Sequence, residues 1–272
     1  MKLARPGLIL AIILISAFFI DSLLVEPYRL TVTQNDFTLF DGRQNVSVVL
    51  ISDIHIGSQR QGYLDSVVER INALHPDIVL IGGDTIDADV SELAWLGPLG
   101  RLNATYGVYA VLGNHDYGWW GCGVSPALGD AVEEKLLALN ITVLRNDNRV
   151  LDVRGARFAL IGLDDQWLCR NNYTEASAGV PDGMPKVVLA HNQLAVDPSE
   201  VKGRGLLLFG HTHCGQVRLP FITQLVMGPG FGPDLGGRER IDNDTEVYVT
   251  CGVTSGGMRF LTNPEISRII ME

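Results

Sequence analysis

The chain is 272 residues long, 46% hydrophobic and 19% charged, with a formal net charge of −10. That composition supports a sizeable buried core behind a short targeting segment. The negative balance repels long nucleic acids, so no nucleic-acid polymer is expected as a partner. A phosphorylated substrate would need a local cationic focus such as metal ions.

Residues 7–20 are apolar apart from Ser16, Asp21 interrupts, and an apolar stretch resumes as far as Val25. As a helix the run to Val25 covers roughly 28 Å against a ~30 Å hydrocarbon core, with Asp21 at one interface. No A-x-A site follows, so residues 1–26 read as an uncleaved membrane anchor in preference to a cleaved signal segment. Lys2 and Arg5 precede the apolar run while Asp21 and Glu26 follow it. The positive flank stays in the cytoplasm, which places residues 27–272 on the periplasmic or outer side of an inner or plasma membrane.

Residues 46–52 (VSVVLIS) form a continuous apolar run rich in β-branched side chains, as a buried strand requires. Leu64, Val67, Val68, Ile71 and Leu74 mark one face of a helix. Residues 77–81 and 108–112 read as further buried strands, with helices over 91–102 and 126–139. Beyond these, short strands are predicted over 141–144, 150–153, 157–163, 186–190, 206–209, 216–219, 246–250 and 266–271. The first half is βαβ-like and the second mostly β, a pattern that fits two packed sheets flanked by helices. Residues 228–237, rich in Gly and Pro, read as a surface loop.

Four widely spaced cysteines, Cys122, Cys169, Cys214 and Cys251, are too few for a disulfide framework and lack zinc-site spacing. A single Cys122–Cys169 bridge is compatible with a domain outside the cytoplasm. Cys214 reads as a small residue packed behind its neighbours.

Five segments place imidazoles, carboxylates and an amide at the ends of predicted strands: Asp53-Ile54-His55, Gly83-Asp84, Gly113-Asn114-His115-Asp116, His191, and Gly210-His211-Thr212-His213. Strand C-termini in α/β sheets open onto a common crevice, so remote segments converge there. In D-x-H and H-x-H the two side chains lie on one side of an extended chain and can grip one ion. Imidazole with carboxylate suits Zn²⁺, Mn²⁺ or Fe²⁺ better than Ca²⁺ or Mg²⁺. Five of the six histidines fall in these segments. His75, before Pro76, reads as a helix-terminal residue.

The motifs DIH, GDTID, GNHD, the His of LAHNQ, and GHTH resemble in order and interval those of the calcineurin-like metallophosphoesterases. The resemblance spans residues 46–252. The GHTHCGQ segment and the TSG…PEI ending are similar to a membrane-associated bacterial phosphodiesterase subgroup. It implies a four-layer α/β/β/α sandwich and two divalent metal ions (Mn, Zn or Fe). One metal would take Asp53, His55, Asp84 and His213, the other Asp84, Asn114, His191 and His211. A shared hydroxide would attack phosphorus in line. His115 would act as general acid or, if protonated, stabilise charge, and Asp116 would either orient its imidazole or serve as a turn residue.

The activity so implied is phosphodiester hydrolysis of a small phosphorylated or lipid-linked substrate. The alternatives are pyrophosphatase action on a lipid-linked nucleotide such as UDP-2,3-diacylglucosamine, and a non-catalytic metal-binding scaffold. The intact motifs argue against the scaffold. Trp119, Trp120 and Trp167 read either as cleft-lining rings or as an apolar cluster beneath the loops, and Asp87 and Asp164 as turn residues or supports for the ligands.

Overall fold

The computed structural model describes residues 4–42, 44–59, 61–118, 121–219, 222–231 and 235–272. Two six-stranded sheets face each other. The first runs in the order β1-β12-β2-β3-β4-β5, built from Thr31–Phe37, Glu265–Met271, Val46–Ile51, Ile78–Ile81, Val108–Ala110 and Thr142–Val143. The second runs β10-β11-β9-β8-β7-β6, built from Gly237–Arg240, Thr245–Val249, Gly205–Phe209, Lys186–Leu189, Ala156–Gly162 and Asp147–Val153.

Three apolar layers separate four structural ones, the predicted α/β/β/α sandwich. Helices α2 (Tyr63–Ala73) and α3 (Ala127–Ala138) lay Val67, Ile71, Val132 and Leu136 against Ile81 and Leu112 of the first sheet side. Between the sheets, Leu50, Leu80 and Ile269 meet Leu160, Leu189 and Leu208. Behind the second sheet, Ile161, Val188 and Leu207 pack on Ala176 of the short α4 (Tyr173–Ala176) and on Ala195 and Val201. Strands buried on both faces need apolar residues at nearly every position, which is why β3 reads as an unbroken hydrophobic run and β2 as one broken only at the half-buried Ser47.

At the N-terminus, α1 (Ala4–Ile20) continues through a π-helical turn, Asp21–Val25, and a 3₁₀ turn, Glu26–Tyr28. Pro6–Tyr28 is long and apolar enough to cross a membrane, and its apolar side chains are almost all exposed. Its end is docked on the domain. The rings of Phe18 and Phe260 meet edge to face at 4.8 Å. The carbonyl of Ser22 accepts from the amide of Arg259 at 2.9 Å, and the buried Glu26 carboxylate accepts from the amide of Thr262 at 2.6 Å.

Several expectations need correction. Residues 216–219 are not a strand; Val217 makes one isolated bridge to Phe260. Residues 228–231 belong to helix α5 (Ile222–Phe231) instead of a loop. Residues 91–102 coil as a 3₁₀ helix, Val90–Arg101, interrupted by Pro98, which cannot donate to an α-helical ladder. Both cysteine pairs form disulfides, Cys122–Cys169 and Cys214–Cys251. Cys214 is buried as expected, but it is covalently paired. Trp119 and Trp120 lie outside the described residues.

The loop that receives α1 is organised by Arg259, whose side chain is fully buried. Its guanidinium donates to the carbonyls of Thr254 (3.1 Å), Cys251 (3.0 Å) and Thr262 (3.4 Å). Burial pulls this guanidinium down to about 10, against the attraction of Asp53 and other nearby acidic groups. Arg259→Met leaves these carbonyls without a donor and is expected to cost about 3 kcal/mol. Thermal denaturation of the full chain in detergent checks this, and an unchanged midpoint would contradict the assigned role.

Candidate metal centre

All seven predicted ligands follow strand C-termini and converge at one end of the sandwich. Asp53 and His55 leave β2, Asp84 leaves β3 and Asn114 leaves β4, from the first sheet. His191 leaves β8, while His211 and His213 leave β9, from the second. Five of them, Asp53, His55, Asp84, His211 and His213, adopt positive φ values between 46° and 68°. Non-glycine residues rarely occupy that region, so local backbone energy is spent to aim these side chains inward.

The donors fall into two groups, each with its ligand atoms within 4.8 Å of one another: Asp53, His55 and His213, and Asp84, His191 and His211. Asp84 connects the two. Its Oδ2 lies 3.0 Å from His191 Nε2 and 3.6 Å from His55 Nε2. His213 Nε2 is 3.5 Å from Asp53 Oδ1, and the amide of His211 donates to both Asp53 oxygens at 3.1 Å. Asn114, also buried, lines the same cleft as Asp84, His211 and His213.

Buried polar atoms ordinarily find hydrogen-bond partners. Here His55 Nε2, His213 Nδ1 and Asn114 Oδ1 are buried with no hydrogen-bond partner among the described residues. Nitrogen and oxygen donors of this kind, converging without such hydrogen bonds, fit divalent cations. Two ligand histidines are also oriented from behind: His191 Nδ1 pairs with the carbonyl of Gly82 at 2.8 Å, and His55 Nδ1 with Asp87 at 2.5 Å. Such contacts fix the ring so that its other nitrogen would serve as the metal ligand. A further group, Cys214, Cys251 and Glu265, is ruled out as a metal site because its sulfurs are bonded to each other.

Electrostatics follow from burial. Burial pushes the Asp84 carboxyl up, but the opposing charges of His191, His55 and His115 hold it well below the usual carboxylate range. For His191, burial lowers and the Asp84 charge raises; the latter wins, moving it up to about 10. Burial carries His211 down to about 3 and His213 well below its ordinary value, so both rings are neutral, the form that ligates. Burial raises Asp165 to about 7, against His191.

His115 is fixed through its backbone, whose amide donates to Asp84 Oδ1 at 2.9 Å, and its ring meets that of His55 edge to face at 4.7 Å. The expected hydrogen bond from Asp116 to this imidazole is not what holds the Asp116 carboxylate. Oδ1 accepts from the amide and hydroxyl of Thr85 (2.8 and 2.6 Å), and Oδ2 accepts from the amide of Gly113 at 2.9 Å. Asp116 therefore clamps the Asp84 loop to the GNHD turn, and the carboxylate grouped with the imidazoles of His55 and His115 is Asp87. The sequence signal for Asp87 was its position three residues after Asp84. Asp164 is a structural acceptor, bonded to Tyr117 and Arg145.

The centre floors a cleft of about 720 Å³ whose walls include Gln166, Trp167, Gln216 and Met227. Trp167 packs edge-on to the His211 ring at 4.3 Å. Carboxylates and imidazoles at the crevice of two facing sheets are the equipment of a metal-dependent hydrolase. The chain belongs to the calcineurin-like phosphoesterase family, whose model matches residues 46–215.

Relatives agree. The transmembrane protein with metallophosphoesterase domain of Bos taurus is 29% identical over 84% of this chain and 53% of its own. The uncharacterized metallophosphoesterase YkuE of Bacillus subtilis is 28% identical, covering 89% and 86%. Phosphodiesterase YaeI of Escherichia coli is 30% identical, covering 71% and 70%. The chain thus spans about half the length of the bovine relative. The family is one of phosphoesterases that use divalent metals.

Glycine is required at Gly113, where an added Cβ would meet Asp84 Oδ1 and stand 2.8 Å from the His191 ring. Gly113→Ala is expected to weaken divalent-metal affinity by about 10–100-fold, by displacing both side chains. Metal titration of the purified full chain measures this; affinity equal to the parent's would refute the packing argument.

Proposed function

We propose that the chain is a binuclear phosphodiesterase, with Asp53, His55, Asp84 and His213 holding one divalent ion and Asp84, Asn114, His191 and His211 the other. The observation that carries this reading is that one buried carboxylate oxygen, Asp84 Oδ2, faces an imidazole of each donor group, His55 in one and His191 in the other. Such ions, Mn, Zn or Fe, supply Lewis acidity and activate water for displacement at phosphorus. The protein's own part is to orient and to move a proton. His115, on the cleft wall, donates its proton to the leaving oxygen. Asp87 and the Gly82 carbonyl keep the His55 and His191 rings aligned. Asp116 keeps the two ligand turns in register.

Residues 27–272 act as the catalytic domain and residues 1–26 as its membrane anchor. Lys2 and Arg5 ahead of the apolar run favour an outward-facing domain. The two disulfides add an independent reason, because such bonds persist in oxidising compartments. A second reading, cleavage of a lipid-linked nucleotide anhydride, draws on the apolar wall formed by Trp167 and Met227.

His115→Ala is expected to lower kcat on an aryl phosphodiester by about 10²–10⁴-fold while bound metal stays unchanged. Asp84→Asn should lose both metal and turnover. Full activity in the His115 variant would remove it from the mechanism, and a stoichiometry of one metal per chain would end the binuclear assignment. For orientation, a C-terminal alkaline phosphatase fusion in a bacterial host should be active. An inactive fusion beside an active cytoplasmic reporter at the same position would reverse the outward placement and favour the lipid-linked nucleotide.

A further inference from the structure

Helix α5 presents the wrong chemistry to solvent. A surface helix of a water-soluble protein normally turns polar residues outward. In α5 the inward positions are Thr223, buried, and Met227, half-buried on the cleft wall, four residues apart. The outward positions are Ile222, Leu225 and Val226, at the i, i+3 and i+4 spacing of one face, with Leu225 80% and Val226 73% exposed. The sequence of α5, ITQLVMGPGF, carries no charge. Leu219, just before the helix, and Leu261 are also exposed.

These residues belong to the substructure that receives the anchor. The amide of Phe260 donates to the carbonyl of Gln216 (3.0 Å), and the amide of Arg218 to that of Phe260 (2.8 Å). Thr223 Oγ1 then donates to the carbonyl of Val217 at 2.7 Å and accepts from the amide of Leu219 at 2.9 Å, pinning the start of α5 to the same segment. On its other side, Phe260 packs on Phe18 of α1, while Arg259 and Thr262 bind Ser22 and Glu26. The apolar face is therefore continuous with the place where the membrane helix meets the domain.

We propose that the outer face of α5, together with Leu219 and Leu261, is a second membrane contact, seated in the interfacial layer of the bilayer that α1 enters. An apolar helical face with a basic flank suits that layer, and exposed Arg218 supplies the flank. The net charge of −10 opposes long-range attraction to anionic lipid, so apolar burial has to carry the contact. Because Gln216 and Met227 also line the cleft, this seating opens the catalytic centre at the bilayer surface, where the headgroups of phosphorylated lipids lie. The inference rests on the anchor reading of α1.

The two can be tested apart in one experiment. The full chain, its four native cysteines paired, is labelled with an environment-sensitive fluorophore at Leu225→Cys, at Leu14→Cys within α1, or at the exposed helix position Glu134→Cys. Each is reconstituted in nanodiscs containing lipids brominated along the upper acyl chain. The Leu14 and Leu225 probes are expected to lose about half their emission or more, and the Glu134 probe to lose none. Quenching at Leu14 with none at Leu225 overturns the α5 contact and leaves the anchor standing. Absence of quenching at Leu14 overturns the anchor and the inference with it.

Discussion

A carboxylate stripped of water organises this molecule. Asp84 is almost completely buried, and a lone ionised carboxyl in that position would be prohibitive without compensation. The compensation comes from both sheets: His55 from the first, His191 from the second, and the amide of His115 from the turn after β4. The two sheets must therefore pack at a fixed separation and offset, and the interleaved leucine and isoleucine layer between them sets it. Glycines at 82, 83 and 113 let the turns approach closely enough to meet. The strained φ values of the ligands are tolerated because the core on either side overdetermines the backbone.

The sandwich and the site were legible because their signals are local and redundant. Continuous β-branched runs announced β2 and β3, the apolar stripe announced α2, and each ligand stood just past such an element. What escaped the sequence depends on partners distant along the chain. Strand β1, TVTQNDF, alternates exposed and half-buried residues at a sheet edge and carries little apolar character of its own. It becomes a strand by pairing with β12. The Cys214–Cys251 bridge is similarly non-local. Val249 pairs with Phe209 in register, so the segments leaving β11 and β9 start side by side, and a sequence separation of 37 conceals that proximity.

Asp116 shows how a motif can identify a residue and leave its work open. Adjacency to His115 allowed an imidazole partner as well as a turn residue, and a residue three positions into a tight turn more readily reaches back to the amide that opens it, as N-terminal caps do. Asp87, more distant from His115 in sequence, is the carboxylate that stands among the rings because the turn after Asp84 folds it across the site. Sequence neighbours on a turn diverge in space, and only the backbone path reveals which carboxylate meets which ring.

The parallel pairing of β1 with β12 also bears on how the molecule carries force. Seven residue pairs, Thr31↔Glu265 through Phe37↔Met271, tie the segment behind the membrane helix to the strand beside β2. A pull transmitted through residue 30 acts along β1, so the ladder is loaded in shear, with its hydrogen bonds sharing the strain instead of opening one at a time. The attachment resists lateral drag at the bilayer better than a hairpin peeled from its open end.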